Sequence, residues 1–213
     1  MKSILEKDLW SITSFLENKN YKFNKENILT QLPEKFIDEA IEAISSWDDY
    51  TPTPLIELKK LNDELKFKNI YYKDEDKRFD LKSFKALGGA FAVYKIASKK
   101  KDITVSTATA GNHGRSVAWG AQQFGCNCEI YIHRNVSIGR EKAIAKYGAL
   151  VNRIKGNYDD SVRIAAEVAE SNNYTVVSDT SYEGYTDIPK DVMQGYTVMV
   201  DEALKQMGEI PTH

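Results

Sequence analysis

Apolar positions along the chain follow two rhythms. In LPEKFIDEAIEAISSW (32–47), Phe36, Ile37, Ala40, Ile41 and Ile44 recur at the three- and four-residue spacing that lines one face of a helix. Pro33 stands where a first helical turn tolerates proline, and the first fifty residues are expected to be helical. TPTP (51–54) breaks that rhythm, because a proline biases the residue before it toward extended backbone. Beyond it, short β-branched or aromatic runs at 70–73, 103–107, 128–133, 149–154 and 174–178 read as strands. They alternate with helical stretches at 83–98, 112–124, 138–147, 158–171 and 189–207. This alternation predicts an α/β fold, a parallel sheet flanked by helices on both faces, preceded by a helical N-terminal segment.

Composition narrows the function classes. A length of 213 residues allows one sizeable domain, or one domain and part of another. The formal net charge of -2 gives no electrostatic argument for nucleic acid or an anionic membrane. No apolar run approaches the ~20 residues of a membrane helix. Glu6, Lys7 and Asp8 interrupt the start, MKSILEKDLWSITSF, so it does not read as a signal peptide. Cys126 and Cys128 are too few for a disulfide framework and suit a reducing cytoplasm. Their C-x-C spacing lacks the knuckle of a zinc site, and no metal is assigned. His133, at a strand end, reads as structural.

Ligand sites in parallel α/β folds lie at the carboxyl ends of strands. Three junctions there carry unusual residues: 74–85, 107–115 and 178–185. In the first, KSFKALGGAFA, Ser83 can cap a helix and Lys85 falls in its first turn. The positive end of the helix dipole and apolar neighbours favour the neutral amine, so a lowered lysine pKa is expected. A neutral amine can attack a carbonyl and form an imine. On spacing alone, a surface lysine at a helix start fits as well. In TATAGNHGRSVAW, small residues let backbone approach a ligand, and Asn112 and His113 offer polar groups at a helix start. A glycine-assisted turn with a capping asparagine is the plainer alternative. Asp179 follows a strand directly and could act as a base or orient an amine; it could also simply cap a helix. Neither GxGxxG nor GxxxxGK[ST] occurs.

Together these junctions resemble the pyridoxal-phosphate enzymes of the tryptophan-synthase β type, fold type II. SFK (83–85) resembles their lysine motif and AGNHG (110–114) their asparagine loop. The likeness goes further with the diaminopropionate ammonia-lyase family. YKDEDKRFDLKSFKALGGAFAVYK, TATAGNHGRSVAWGAQQFG, GNYDDSVRIAAE and SDTSYEGYTDIPKDVMQGYTVM look like that family in the right order, over roughly 50–200. The resemblance implies that Lys85 holds the cofactor as an imine and moves protons, with Asp179 as a second catalytic residue. Asn112 would hydrogen-bond the 3′-oxygen of the pyridine ring, and Phe84 would join it in binding the cofactor. Ser83, Thr109, Ala110 and His113 would contact substrate. The implied reaction eliminates ammonia from 2,3-diaminopropionate, giving pyruvate and a second ammonia. A small amino-acid substrate and a homodimer go with it.

The resemblance also implies a division of the chain. Residues 1–82 would belong to the larger cofactor domain, 83–200 would form the smaller α/β domain, and 201–213 would begin the remainder. Two departures stand out. Ala110 occupies a position where the lyases carry an acid, and alanine cannot take a proton; threonine and serine dehydratases of the same fold show Ala-Gly-Asn-His. After Gly114 the glycines are isolated, so no cluster remains to cradle a phosphate. The chain therefore reads as an N-terminal half. A dehydratase, and a non-catalytic half that pairs with a partner chain, remain as alternatives.

Overall fold

The computed structural model describes residues 25–212, together with Leu16, Lys19 and Lys22. The reading of the first fifteen residues, and His213, fall outside the described residues. Among the described residues two helices come first, α1 (Lys25–Gln31) and α2 (Glu34–Ser45). As its spacing predicts, α2 buries Ala40 and Ile44. They pack against Leu87, Phe91 and Val198 from later helices.

TPTP leads into β1 (Leu55–Glu57), then α3 (Lys59–Leu65) and β2 (Tyr71–Lys73). The sequence reading contained neither β1 nor α3, each only three to seven residues long. β1 pairs antiparallel with β2 in a sheet of its own. The 70–73 strand therefore stands apart from the parallel sheet.

A 3₁₀ stretch (Glu75–Asp80) follows, and Phe79, Asp80 and Lys82 take φ values of 46°, 56° and 57°. That is left-handed backbone, costly for residues with a Cβ. A buried polar cluster fixes it from outside. Arg78, 1% exposed, donates from Nη2 to Glu202 at 2.7 Å, to Glu75 at 2.9 Å and to Thr53 at 3.0 Å. Lys73 adds a second cation 2.8 Å from Glu202.

The main sheet is parallel, with strand order β5-β4-β3-β6. Its strands are β3 (Thr104–Ala108), β4 (Asn127–Ile132), β5 (Leu150–Arg153) and β6 (Thr175–Val176). The connections are α5 (Asn112–Phe124), α6 (Ile138–Ala145) and α7 (Tyr158–Asn172). α4 (Lys85–Ala97) precedes the sheet and α8 (Asp187–Met207) follows it. The chain steps outward from β3 to β4 to β5, then returns across the sheet so that β6 lies on the other side of β3. Right-handed crossovers put the return helix on the opposite face from the outward ones. The reversal lies between β3 and β6, where open α/β sheets place their crevice.

α4 is sandwiched between α5 and α8, and this explains its bland sequence. Ala86 to Val93 are all buried. A Cβ on Gly195 of α8 would stand 2.5 Å from the Leu87 carbonyl oxygen, and one on Gly120 of α5 would stand 2.7 Å from Ala90 Cα. Only side-chain-free positions let three helices approach so closely. The run ALGGAFAV is thus a packing surface, and it fixes the helix whose first residue is Lys85.

Candidate functional site

Three elements converge at the β3/β6 reversal. α4 brings Lys85 by its N-terminus, α5 brings His113 in its first turn, and the segment after β6 brings Asp179. Lys85 Nζ donates to Asp179 Oδ2 at 2.5 Å. His113 Nε2 lies 2.9 Å from the Val177 carbonyl oxygen, and its Nδ1 lies 3.9 Å from Asp179 Oδ2. The segment is held in place from both sides. Val177 N donates to the Ser106 carbonyl of β3 at 2.7 Å. Tyr185 Oη donates to the Val176 carbonyl and accepts from Ser178 N, both at 2.9 Å.

The backbone of Lys85 is equally anchored. Its N–H donates to Ser83 Oγ at 3.2 Å. Its carbonyl accepts from Ser116 Oγ of α5 at 2.6 Å, and Ser116 Oγ also accepts from Ala90 N at 3.0 Å. The Lys85 side chain is 29% exposed, between the rings of Phe84 and Tyr196 at 5.7 and 5.4 Å from its nitrogen. Those rings meet edge to face, 5.1 Å between centroids. The site thus has an aromatic wall, an amine, and a carboxylate backed by an imidazole.

The electrostatics correct the expectation of a lowered lysine pKa. Partial burial of the amine does push it down. The Asp179 hydrogen bond and the charges around it overcome that, and Lys85 ends above its ordinary 10.5. The helix dipole acts on Lys85 together with a carboxylate that arrives from far along the chain. For Asp179, burial raises the carboxyl, but His113 and Lys85 bring it below its ordinary 3.8. Burial also dominates at His113 and depresses it below 6.5, against the pull of Asp179.

The other expected residues lie around a neighbouring opening. Thr109 Oγ1 accepts from Gly111 N at 3.3 Å. Asn112 is exposed, and its Oδ1 accepts from Arg115 Nη1 at 3.5 Å. A cleft of about 330 Å³ lies between Ala110, Gly111 and Asn112 on one side and Arg140 and Ala143 on the other. Neither Lys85 nor Asp179 lines it. Ser116 and Tyr196 escaped the sequence reading. Each sits mid-helix, and only the helix sandwich brings them to the lysine. Among the described residues, no group of three or more His, Cys, Asp or Glu is placed to hold a metal. Cys126 and Cys128 are free thiols, and His133 Nδ1 accepts from Asn135 N. No helix among the described residues is long and apolar enough to cross a membrane.

A family model described as "Pyridoxal-phosphate dependent enzyme" matches residues 47–213. The chain belongs to that family. A diaminopropionate ammonia-lyase of Escherichia coli (strain K12) is 42% identical over 185 residues, covering 77% of this chain and 46% of the relative. The crystal structure of the Escherichia coli diaminopropionate ammonia lyase in apo form superposes with a TM-score of 0.81 at 37% identity. That match covers 86% of this chain and 56% of the other. A biosynthetic L-threonine dehydratase of Haemophilus influenzae is 30% identical over 125 residues, covering 59% of this chain and 24% of the relative. The architecture is that of the fold type II enzymes. The chain spans about half the length of the curated lyases it matches.

The site suits the family's cofactor at its aldehyde end. It offers one accessible amine on a rigid helix start, flanked by flat aromatic faces that can border a pyridine ring. It offers less to the phosphate. Among the described residues the one adjacent glycine pair, Gly88–Gly89, is buried in α4 against Tyr196 and Ser116.

Proposed function

We propose that this chain carries the lysine-bearing portion of a pyridoxal-phosphate ammonia-lyase that eliminates ammonia from 2,3-diaminopropionate to give pyruvate. The observation that supports this best is the Lys85–Asp179 contact at the sheet reversal, in a chain 42% identical to such a lyase. In this reading Lys85 attaches the cofactor and moves the proton at the substrate α-carbon. Asp179 orients the amine and governs its protonation. Asn112 holds the ring oxygen and Phe84 borders the ring. Ser83, Thr109, Ala110 and His113 surround the substrate. The bound cofactor supplies the electron sink that elimination needs.

The proposal includes a division of labour along the chain. Residues 1–82, with their separate β1–β2 sheet, go with a larger cofactor domain. Residues 83–200 form the smaller domain, and 201–213 begin the remainder. A cytoplasmic setting agrees with two free thiols, and a homodimer of the whole enzyme completes the reading.

A second reading, a threonine or serine dehydratase, is favoured by Ala110, which offers no acid beside the asparagine loop. The long match through IPKDVMQGY weighs toward the lyase. The two separate in an assay of the protein as its gene encodes it, supplied with pyridoxal phosphate. The lyase reading expects pyruvate from 2,3-diaminopropionate with little turnover of threonine. Preferential turnover of threonine would overturn it. Absence of turnover with any of the three substrates would support a non-catalytic half.

A further inference from the structure

His113 is the one buried titratable group at the site to which the reading above gives no proton. It is 5% exposed. The Val177 carbonyl can only accept, so Nε2 must carry the ring proton and donate to it at 2.9 Å. The neutral ring then presents a bare Nδ1 to the interior, and that atom has no hydrogen-bond partner. Asp179 Oδ2 lies 3.9 Å from it, and is the same oxygen that receives Lys85 at 2.5 Å. A lone pair facing a carboxylate is a poor arrangement unless a proton sits between them. At present Lys85 satisfies that oxygen, and Nδ1 is left waiting.

We propose that His113 Nδ1 transiently accepts the proton that Lys85 gives up when its amine becomes a nucleophile. Lys85, Asp179 and His113 form a relay in which one carboxylate oxygen serves two cations in turn. In the resting state it holds the Lys85 ammonium. When Lys85 turns neutral, one N–H bond at Nζ breaks and one N–H bond at Nδ1 forms. Asp179 Oδ2 carries the proton only in passage, so Asp179 is ionised before and after and the net charge of the three groups is unchanged. The imidazolium then donates from both nitrogens, to Asp179 and to Val177. This deepens the reading of Lys85 as the attachment lysine and rests on it, because it supplies a route to a neutral amine in a site that holds the amine charged.

The groups facing the relay are few. Lys85 comes from α4, Asp179 from the β6 segment and Tyr196 from α8 beside the amine. Tyr185, on the segment after β6, interacts electrostatically with Asp179. Burial keeps His113 neutral in the resting state, and the Lys85 charge works in the same direction. Removing that charge frees Asp179 to raise the imidazole.

The test is nitrogen-15 NMR on the histidine-labelled full chain without cofactor. His113 is assigned as the signal that survives in both His133→Gln and His213→Gln, among the chain's 3 histidines. In the unsubstituted chain at neutral pH, the proton is expected on Nε2 with Nδ1 bare. In Lys85→Met the His113 midpoint should move up by about one pH unit, as a carboxylate without a competing cation permits. Lys85→Arg, which keeps the cation, should stay near the unsubstituted chain. Lys85→Met combined with Asp179→Asn should lose the rise. A neutral His113 protonated at Nδ1, or a midpoint unmoved in Lys85→Met, would overturn the relay. The first of these results needs no variant. Failure of cofactor attachment at Lys85 would leave these titrations untouched, so the two ideas fail separately.

Discussion

Lys85 and Asp179 stand 2.5 Å apart, nitrogen to oxygen, across 94 positions of sequence. The first belongs to a helix that precedes the parallel sheet, the second to the segment that leaves its last strand. Their meeting depends on the strand order, which places β6 against β3, and on the sandwich that fixes α4. The site's chemistry therefore rests on packing well beyond it.

Removing the carboxylate should lower the Lys85 pKa. In the folded chain the amine is held above 10.5 despite its burial, chiefly by the Asp179 hydrogen bond. In Asp179→Asn the burial effect remains and the charge is gone. Lys85 should then react with an amine-selective reagent at lower pH than in the unsubstituted chain, measured peptide by peptide by mass spectrometry. An unchanged pH profile would mean that Asp179 does not govern the amine.

Helix propensity and packing make opposite forecasts for Gly195→Ala. Alanine is better than glycine in a helix interior by about 1 kcal/mol. Its Cβ would lie 2.5 Å from the Leu87 carbonyl oxygen and 2.8 Å from Gly88 Cα, both backbone atoms that cannot rotate away. Overpacking of this kind costs about 1–3 kcal/mol, and here it should prevail. Urea unfolding should show a net loss of stability and no gain.

Ser116→Ala should cost about 1 kcal/mol, the net value of a typical hydrogen bond. Its hydroxyl donates to the Lys85 carbonyl at 2.6 Å. Because the lost contact is to the lysine's own backbone, the variant should also label more slowly at Lys85 with pyridoxal phosphate. Equal stability and equal labelling would show that Ser116 positions nothing.

The Arg78–Glu202 cluster predicts an acid limit to stability. Burial raises the Glu202 carboxyl, but Arg78 and Lys73 more than offset this and hold it below its ordinary 4.5. A depressed folded pKa contributes stability that is complete above the unfolded pKa and is lost as pH falls through the folded one. Resistance to urea should therefore decline below about pH 4.5. Glu202→Ala should cost about 3–5 kcal/mol at neutral pH, since it strands the buried Arg78 cation. That loss should shrink at low pH, where the unsubstituted carboxyl is itself protonated.

Much of this architecture was legible from residue order alone. Periodicity located α2, the four parallel strands and the helices between them, because each is long or strongly patterned. It missed β1 and α3, which carry too few residues to show a period. It placed β2 without revealing that its partner is β1 and that the pair stands outside the main sheet. Lys85, Asp179 and His113 were marked by their junctions, and the structure brings all three together. The direction of the Lys85 shift was misread, because local sequence shows a helix dipole but not a carboxylate from the other end of the domain. Ser116 and Tyr196 left no local signal; they matter through the faces that α5 and α8 turn toward α4.

In the proposed function Lys85 is the lysine to which the cofactor attaches. The most direct measurement is incubation of the chain with pyridoxal phosphate, borohydride reduction, and mapping of the modified lysine by mass spectrometry. Modification should concentrate on the Lys85 peptide and be abolished in Lys85→Ala, with the exposed Lys77 and Lys82 labelled only at background. Equal labelling of many lysines, or an unchanged yield in Lys85→Ala, would contradict it.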